Sequence, residues 1–249
     1  RDRVVRGDPC RGNAASLEPR STCRAHGGPL ATVSRYFDFM RARVASDPRA
    51  YVTDPETEFL VRCVVREIDA IRERTAAWPI VAEIGFGGGA LGITVKKMRP
   101  GIRLIGVDVD PDALALGTQN IATAGVDVEL VRSDWFSDWP LADQPALIFG
   151  DPPWGGEQDL YSENRDARHY LAMPSVSVFP KEGIIGAHPE LLSDVKSKNW
   201  SSHMILNIGV LPDDLVKKVS ALAAESKIER HLEKVGLLHA RMCLDQLGL

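Results

Sequence analysis

Two short stretches hold residue types that can do chemistry. Residues 148–155 read Ile-Phe-Gly-Asp-Pro-Pro-Trp-Gly, and residues 83–90 read Glu-Ile-Gly-Phe-Gly-Gly-Gly-Ala. In the first stretch, Pro152 and Pro153 fix φ and remove two donors, so the chain is stiff just after Asp151. Trp154 adds a flat face for a planar or cationic group. A carboxylate beside a ring suits a nitrogen that must be held still and stripped of a proton. In the second stretch, Gly85, Gly87 and Gly89 permit positive φ and let a ligand approach the main chain. The helix that follows places a partial positive charge at its start. The glycines alone would equally serve a tight turn without a ligand, and the prolines alone a stiff turn after a strand.

Spacing to the next acidic residues sharpens this reading. Asp108 and Asp110 lie about 20 residues beyond the glycines, where a carboxylate meets ribose hydroxyls in nucleotide-binding folds. Asp110 is read as a helix cap and Asp108 as the ribose ligand. The turn does not follow the dinucleotide pattern G-x-G-x-x-G. Ser133-Asp134-Trp135-Phe136 follows a third strand pattern. Asp134 can accept from an adenine amine, and Trp135 can cover the ring. Together the parts suggest transfer of a methyl group from S-adenosylmethionine (SAM) to nitrogen.

These residues need strands and helices to carry them. Short apolar runs at 80–84, 103–108, 126–131, 146–150 and 204–208 read as strands. Helical patterns follow at 90–98, at 111–124 and at 212–226. Strands alternating with helices argue for a mostly parallel sheet covered on both faces. Residues 228–247 read as a final hairpin. Thr53-Asp54-Pro55-Glu56 reads as a helix start, with Asp54 or Thr53 as cap. An apolar stripe of Phe59, Leu60, Cys63, Val64, Ile68 and Ile71 follows it. Tyr36, Phe37, Met40 and Val44 predict a short helix over 34–44, capped by Ser34. The domain division expected is an N-terminal arm and helix at 1–49 and one α/β domain at 50–249. The stretch 151–203 is long for a crossover and is read as the substrate side, with a helix opening at His188.

Composition sets further bounds. The chain has 249 residues, 44% hydrophobic and 26% charged, so a normal globular core is expected. A net charge of −4 counts against affinity built on phosphate contacts. Cys10, Cys23, Cys63 and Cys243 include no C-x-x-C pair and are read as reduced thiols, with a Cys10–Cys23 bridge as the alternative. His169, His188 and His203 have no metal spacing, and no metal is expected. No apolar run of about 18 residues occurs, and a cytoplasmic enzyme is the expectation.

With these motifs in view, residues 50–210 resemble class I SAM-dependent methyltransferases, and among them the HemK/PrmC-like protein-glutamine N-methyltransferases. Asp54-Pro55-Glu56-Thr57-Glu58 is similar to that family's R-P-E-T-E segment, and Leu206-Asn207-Ile208-Gly209 to its E-x-G strand. The resemblance implies a Rossmann-like seven-stranded sheet with the last strand antiparallel. It implies that Glu83, Gly85, Gly87, Asp108, Asp134 and Trp135 line the SAM pocket, and that Asp151 and Trp154 touch the acceptor. Pro152, Glu157, Glu163 and Glu190 are further acceptor-side candidates.

Two departures stand out. The family tetrapeptide N-P-P-Y is D-P-P-W here, and Asn207 stands where the family has Glu. An ionised Asp only accepts hydrogen bonds, which suits an amine or guanidinium. The N-terminal region is also short for a helical domain that grips release factors. The expectation drawn is a small amino-acid-like acceptor, first the guanidino group of free L-arginine, as in natural-product biosynthesis. Release-factor glutamine is the alternative. Adenine in nucleic acid and a non-catalytic SAM-binding subunit are further readings. The arm is also a candidate for homodimer contacts.

Overall fold

The computed structural model describes residues 36–153, 173–179, 186–207, 217–218, 221, 228–235 and 241–248. Its main body is a seven-stranded sheet. In chain order the strands are β3 (Ile80–Ile84), β4 (Arg103–Asp108), β5 (Glu129–Arg132), β6 (Leu147–Gly150), β7 (His203–Asn207), β8 (Ile228–Val235) and β9 (Arg241–Gly248). Their spatial order is β5-β4-β3-β6-β7-β9-β8. Neighbours from β5 to β7 are parallel, and β9 runs antiparallel to both β7 and β8. The last strand is thus the reversed one, as the resemblance implied.

Side chains alternate across the sheet with the strand period of two. Val81, Leu104, Leu147, Phe149 and Ile205 face one core. Helix α1 (Glu58–Thr75) and helix α2 (Ala90–Met98) cover that face through Leu60, Val64, Ile68, Ile93 and Val95. Ala82, Ile84, Ile105, Val107, Ile148, Met204 and Leu206 face the other core, covered by helix α5 (Ala187–Ser197) through Leu191, Leu192 and Val195. Burial on both faces explains why these strands read as continuous apolar runs. Ile148 and Phe149 are fully buried, on opposite faces, and each burial stabilises the fold by roughly 1.5–3 kcal/mol.

Helix α3 (Pro111–Ala124) starts as read from the sequence. Asp110 caps it, with Oδ1 accepting from the Asp112 N–H at 2.9 Å, and Gly125 ends it at φ 65°. A four-residue helix, α4 (Ser175–Val178), lies between β6 and α5.

Two expectations near the N-terminus are corrected. Residues 36–45 form a hairpin, not a helix: β1 (Tyr36–Phe39) pairs antiparallel with β2 (Ala42–Ala45). The inward residues are Phe37, Phe39, Ala42 and Val44, alternating with Asp38, Arg41 and Arg43. Met40, counted toward a helical stripe, makes the turn at φ 48°. The Ser34 cap lies outside the described residues. The helix expected from residue 54 begins with a 3-10 turn at Pro55–Thr57 and becomes α-helical at Glu58. The Thr57 N–H and hydroxyl both donate to the Asp54 carbonyl, so backbone rather than a side-chain cap starts the helix.

Among the described residues, no helix is long and apolar enough to cross a membrane. Most of the helix expected at 212–226 lies outside the described residues, as do Cys10 and Cys23. Cys63 is a buried free thiol.

Candidate active site

The parallel strands end along one edge, and the candidate residues follow those ends. Ile84 of β3 pairs with Gly150 of β6, so the glycine turn and Asp151 leave adjoining strands at the same level. Strand order reverses about β3, since β4 lies on one side of it and β6 on the other. Ligands bind in the crevice at such a reversal.

The turn after β3 is held by backbone and one carboxylate. Gly85, Gly87 and Gly89 adopt φ of 61°, 54° and 82°, a region that costs other residues strain. The Phe86 N–H donates to the Val107 carbonyl at 3.1 Å, and the Gly87 N–H donates to Asp108 Oδ2 at 2.7 Å. Asp108 Oδ1 accepts from the Asp110 N–H at 2.9 Å. Asp108 therefore shapes the turn. Burial holds its carboxyl above the ordinary range, against the opposing pull of those N–H groups. A Cβ built at Gly85 would meet nothing within 4 Å, so the space over the turn is open.

Glu83 sits beneath the turn, only 1% exposed. Burial pushes its carboxyl well above the ordinary range, the Gly92 N–H works the other way, and the Asp108 charge adds to the rise. A Cβ on Gly92 would lie 2.0 Å from Glu83 Oε2, so this helix position has no room for a side chain.

The third loop continues the edge. The Ser133 N–H donates to the Asp108 carbonyl at 3.0 Å. Trp135 takes φ 50°, and its Nε1–H donates to Glu190 Oε2 at 3.3 Å. The Phe136 N–H donates to Asp194 Oδ2 at 2.8 Å. Helix α5 thus grips this loop, and an acceptor-side candidate, Glu190, meets a cofactor-side one. Asp134 is exposed.

On the other flank, Asp151 Oδ1 accepts from Asn207 Nδ2 at 2.9 Å. Leu206 pairs with Gly150, which puts Asn207 next to Asp151. The two departures seen in the sequence therefore meet in one hydrogen bond between neighbouring strands. Pro152 is buried. Trp154, Glu157 and Glu163 lie outside the described residues.

Two contributors escaped the sequence reading. One is the contact of Asn207 with Asp151. The other is Asn120, 1% exposed, whose Nδ2 donates to the carbonyls of Gly88 at 2.8 Å and Ala45 at 3.0 Å. Its Oδ1 accepts from the Ala45 N–H at 2.8 Å. Asn120 so ties the hairpin to the glycine turn. Its signal was a lone amide in register with the buried residues Ala113, Leu116 and Gly117.

Known proteins resemble this chain. Residues 50–169 match the "Methyltransferase small domain" family. The release factor glutamine methyltransferase of Deinococcus radiodurans is 30% identical over 146 residues, covering 59% of this chain and 50% of that protein. The protein of the same name from Koribacter versatilis is 26% identical over 200 residues, covering 79% of this chain and 68% of that one. The chain thus spans half the length of the Deinococcus relative. A methyltransferase structure from Pyrococcus furiosus shares the fold, with TM-score 0.58, 15% identity, and coverage of 92% of this chain and 98% of that one. Motifs, sheet order and matches agree in making the chain similar to the class I SAM-dependent methyltransferases, with proteins of the HemK/PrmC-like kind among its relatives.

Proposed function

We propose that this chain transfers a methyl group from SAM to a side-chain nitrogen, and that the nitrogen is the carboxamide of a glutamine in a release-factor-like protein. One observation carries the reading: Ile84 pairs with Gly150, so the glycine turn and Asp151 open onto one crevice. The names of the relatives supply the acceptor class.

The edge suits the cofactor. Open space over Gly85 admits a nucleoside, and Asp108, Asp134, Asp151 and Glu190 make the edge favourable to a sulfonium cation. Gly85, Gly87, Asp108, Asp134 and Trp135 would hold the nucleoside end, with Glu83 supporting the turn from below. When bound, SAM supplies an electrophilic methyl carbon and leaves as the neutral thioether. The chain's own part is placement. Asp151 accepts an N–H of the acceptor and aims its lone pair, and Pro152 keeps the backbone from yielding. Such positioning is worth up to about 7–11 kcal/mol of barrier in well-oriented systems. The proton lost from nitrogen passes to Asp151 or to water. In this reading residues 50–249 are the catalytic domain, with 151–203 forming the acceptor side, and residues 1–49 are an N-terminal extension whose 36–45 hairpin packs into the same core.

A second reading has its own observation. Asp151 presents a carboxylate where the family has an amide, and its Oδ1 accepts from Asn207. A group that only accepts suits a donor-rich amine or guanidinium, such as free arginine. Labelled methyl transfer to a release factor, to free arginine and to a panel of other amino acids separates the two. Label on a release-factor glutamine is the expected result. Label on free arginine with none on the release factor would replace the first reading by the second.

A further inference from the structure

We infer that Asn207 is a positioning residue for methyl transfer, acting by aiming the Asp151 carboxylate. The inference deepens the proposed function and rests on it. Asp151 is the first residue after β6, at the start of a loop, and is half-buried. Asn207 is differently placed. It is the last residue of β7 and only 2% exposed. Its strand is paired on both sides, with β6 and with β9, where Asn207 lies opposite Cys243. Its Nδ2 donates to Asp151 Oδ1 at 2.9 Å. The amide therefore passes the rigidity of the sheet centre to a group on the loop. A donor on one carboxylate oxygen also restricts rotation of the carboxylate, and with it the direction in which an acceptor nitrogen is held. A displacement of about 1 Å at a reacting centre can cost on the order of 100-fold in rate.

The test separates aiming from simple support. Asn207→Gln keeps a donor but moves it by one methylene, and Asn207→Leu removes it. Both are assayed with whichever acceptor the wild-type protein labels, alongside calorimetry with S-adenosylhomocysteine. The expected result is a fall in kcat of at least about tenfold in each variant, with the Kd for S-adenosylhomocysteine within about twofold of wild type. The exchanged pair, Asp151→Asn with Asn207→Asp, can rebuild one hydrogen bond with its direction reversed. It is expected to recover the wild-type unfolding midpoint without recovering kcat. Wild-type kcat in Asn207→Gln and Asn207→Leu, or in the exchanged pair, would overturn the assignment and leave Asn207 as a strut. Failure of the wild-type protein to label any acceptor would overturn the functional reading, and this assignment with it.

Discussion

The two halves of the crevice are built in different ways. At the β3–β4 end, the turn is shaped by glycine φ values, backbone hydrogen bonds and Asp108, all within 21 residues of one another for the Gly87–Asp108 contact. At the β6–β7 end, Asp151 is held by Asn207, 56 residues further along the chain. The first end is a local structure made rigid by burial. The second depends on two strands being brought together by the whole sheet. A lesion at the first should damage folding and cofactor binding together, whereas a lesion at the second should damage transfer with little effect on cofactor binding.

Asp151→Ala tests that contrast with the largest expected effect. Methyl transfer should fall on the order of 100-fold or more, as for loss of a proton-accepting group, with little change in cofactor affinity. Radiolabel transfer and calorimetry measure the two quantities, and a parallel loss of both would erase the distinction between the halves. Next comes Gly92→Ala at the cofactor end. The added methyl would sit 2.0 Å from Glu83 Oε2, and overpacking of this kind costs about 1–3 kcal/mol or more. Urea unfolding should show the loss, and cofactor affinity should fall with it.

Asn120→Ala probes the tie between hairpin and turn. Three hydrogen bonds disappear and the Gly88 and Ala45 groups lose their partner, a change expected to cost about 1–3 kcal/mol. Hydrogen exchange should quicken at Ala45 before it quickens in β3. Uniform quickening would mean that the hairpin and sheet open as one unit.

The buried carboxyl Glu83 gives a pH signature. Its folded value is raised well above the ordinary 4.5. A raised acid binds its proton more tightly when folded, so its stabilising contribution is complete below the unfolded value and is lost as pH rises through the folded one. Glu83→Gln should reduce that loss, with a residual slope of the same sign from Asp108, whose carboxyl is also raised. Unfolding midpoints across a pH series measure this, and identical slopes would place the charge cost elsewhere. The smallest effect is expected for Glu190→Ala. Its contact with Trp135 is exposed, so stability should change by about 0.5 kcal/mol or less.

Much of this was legible in the residues. Strands β3, β4 and β6, helices α2 and α3 and the Asp110 cap were readable because buried parallel strands make apolar runs, and caps have side-chain signatures. The hairpin at 36–45 was misread because Tyr36, Phe37, Met40 and Val44 fit a helical count. The two-residue alternation was interrupted by the turn at Met40. The glycine turn was legible for the same reason that it is rigid, since its geometry depends on glycines adjacent in sequence. The acceptor side was legible only in part. Asp151 and Asn207 each drew notice as a departure, but nothing in the chain order said that they touch.

The amino-acid sequence alone determined the α/β class, the turn that follows β3 and the carboxylate that follows β6, because each arises from residues close along the chain. Tertiary structure decided which strand ends adjoin, and so decided that Asn207 steadies Asp151 and Asn120 clamps the hairpin to the turn. Those pairings are non-local. They exist only once the parallel strands have taken their order and burial has left each polar side chain with a neighbouring strand or loop as its hydrogen-bond partner.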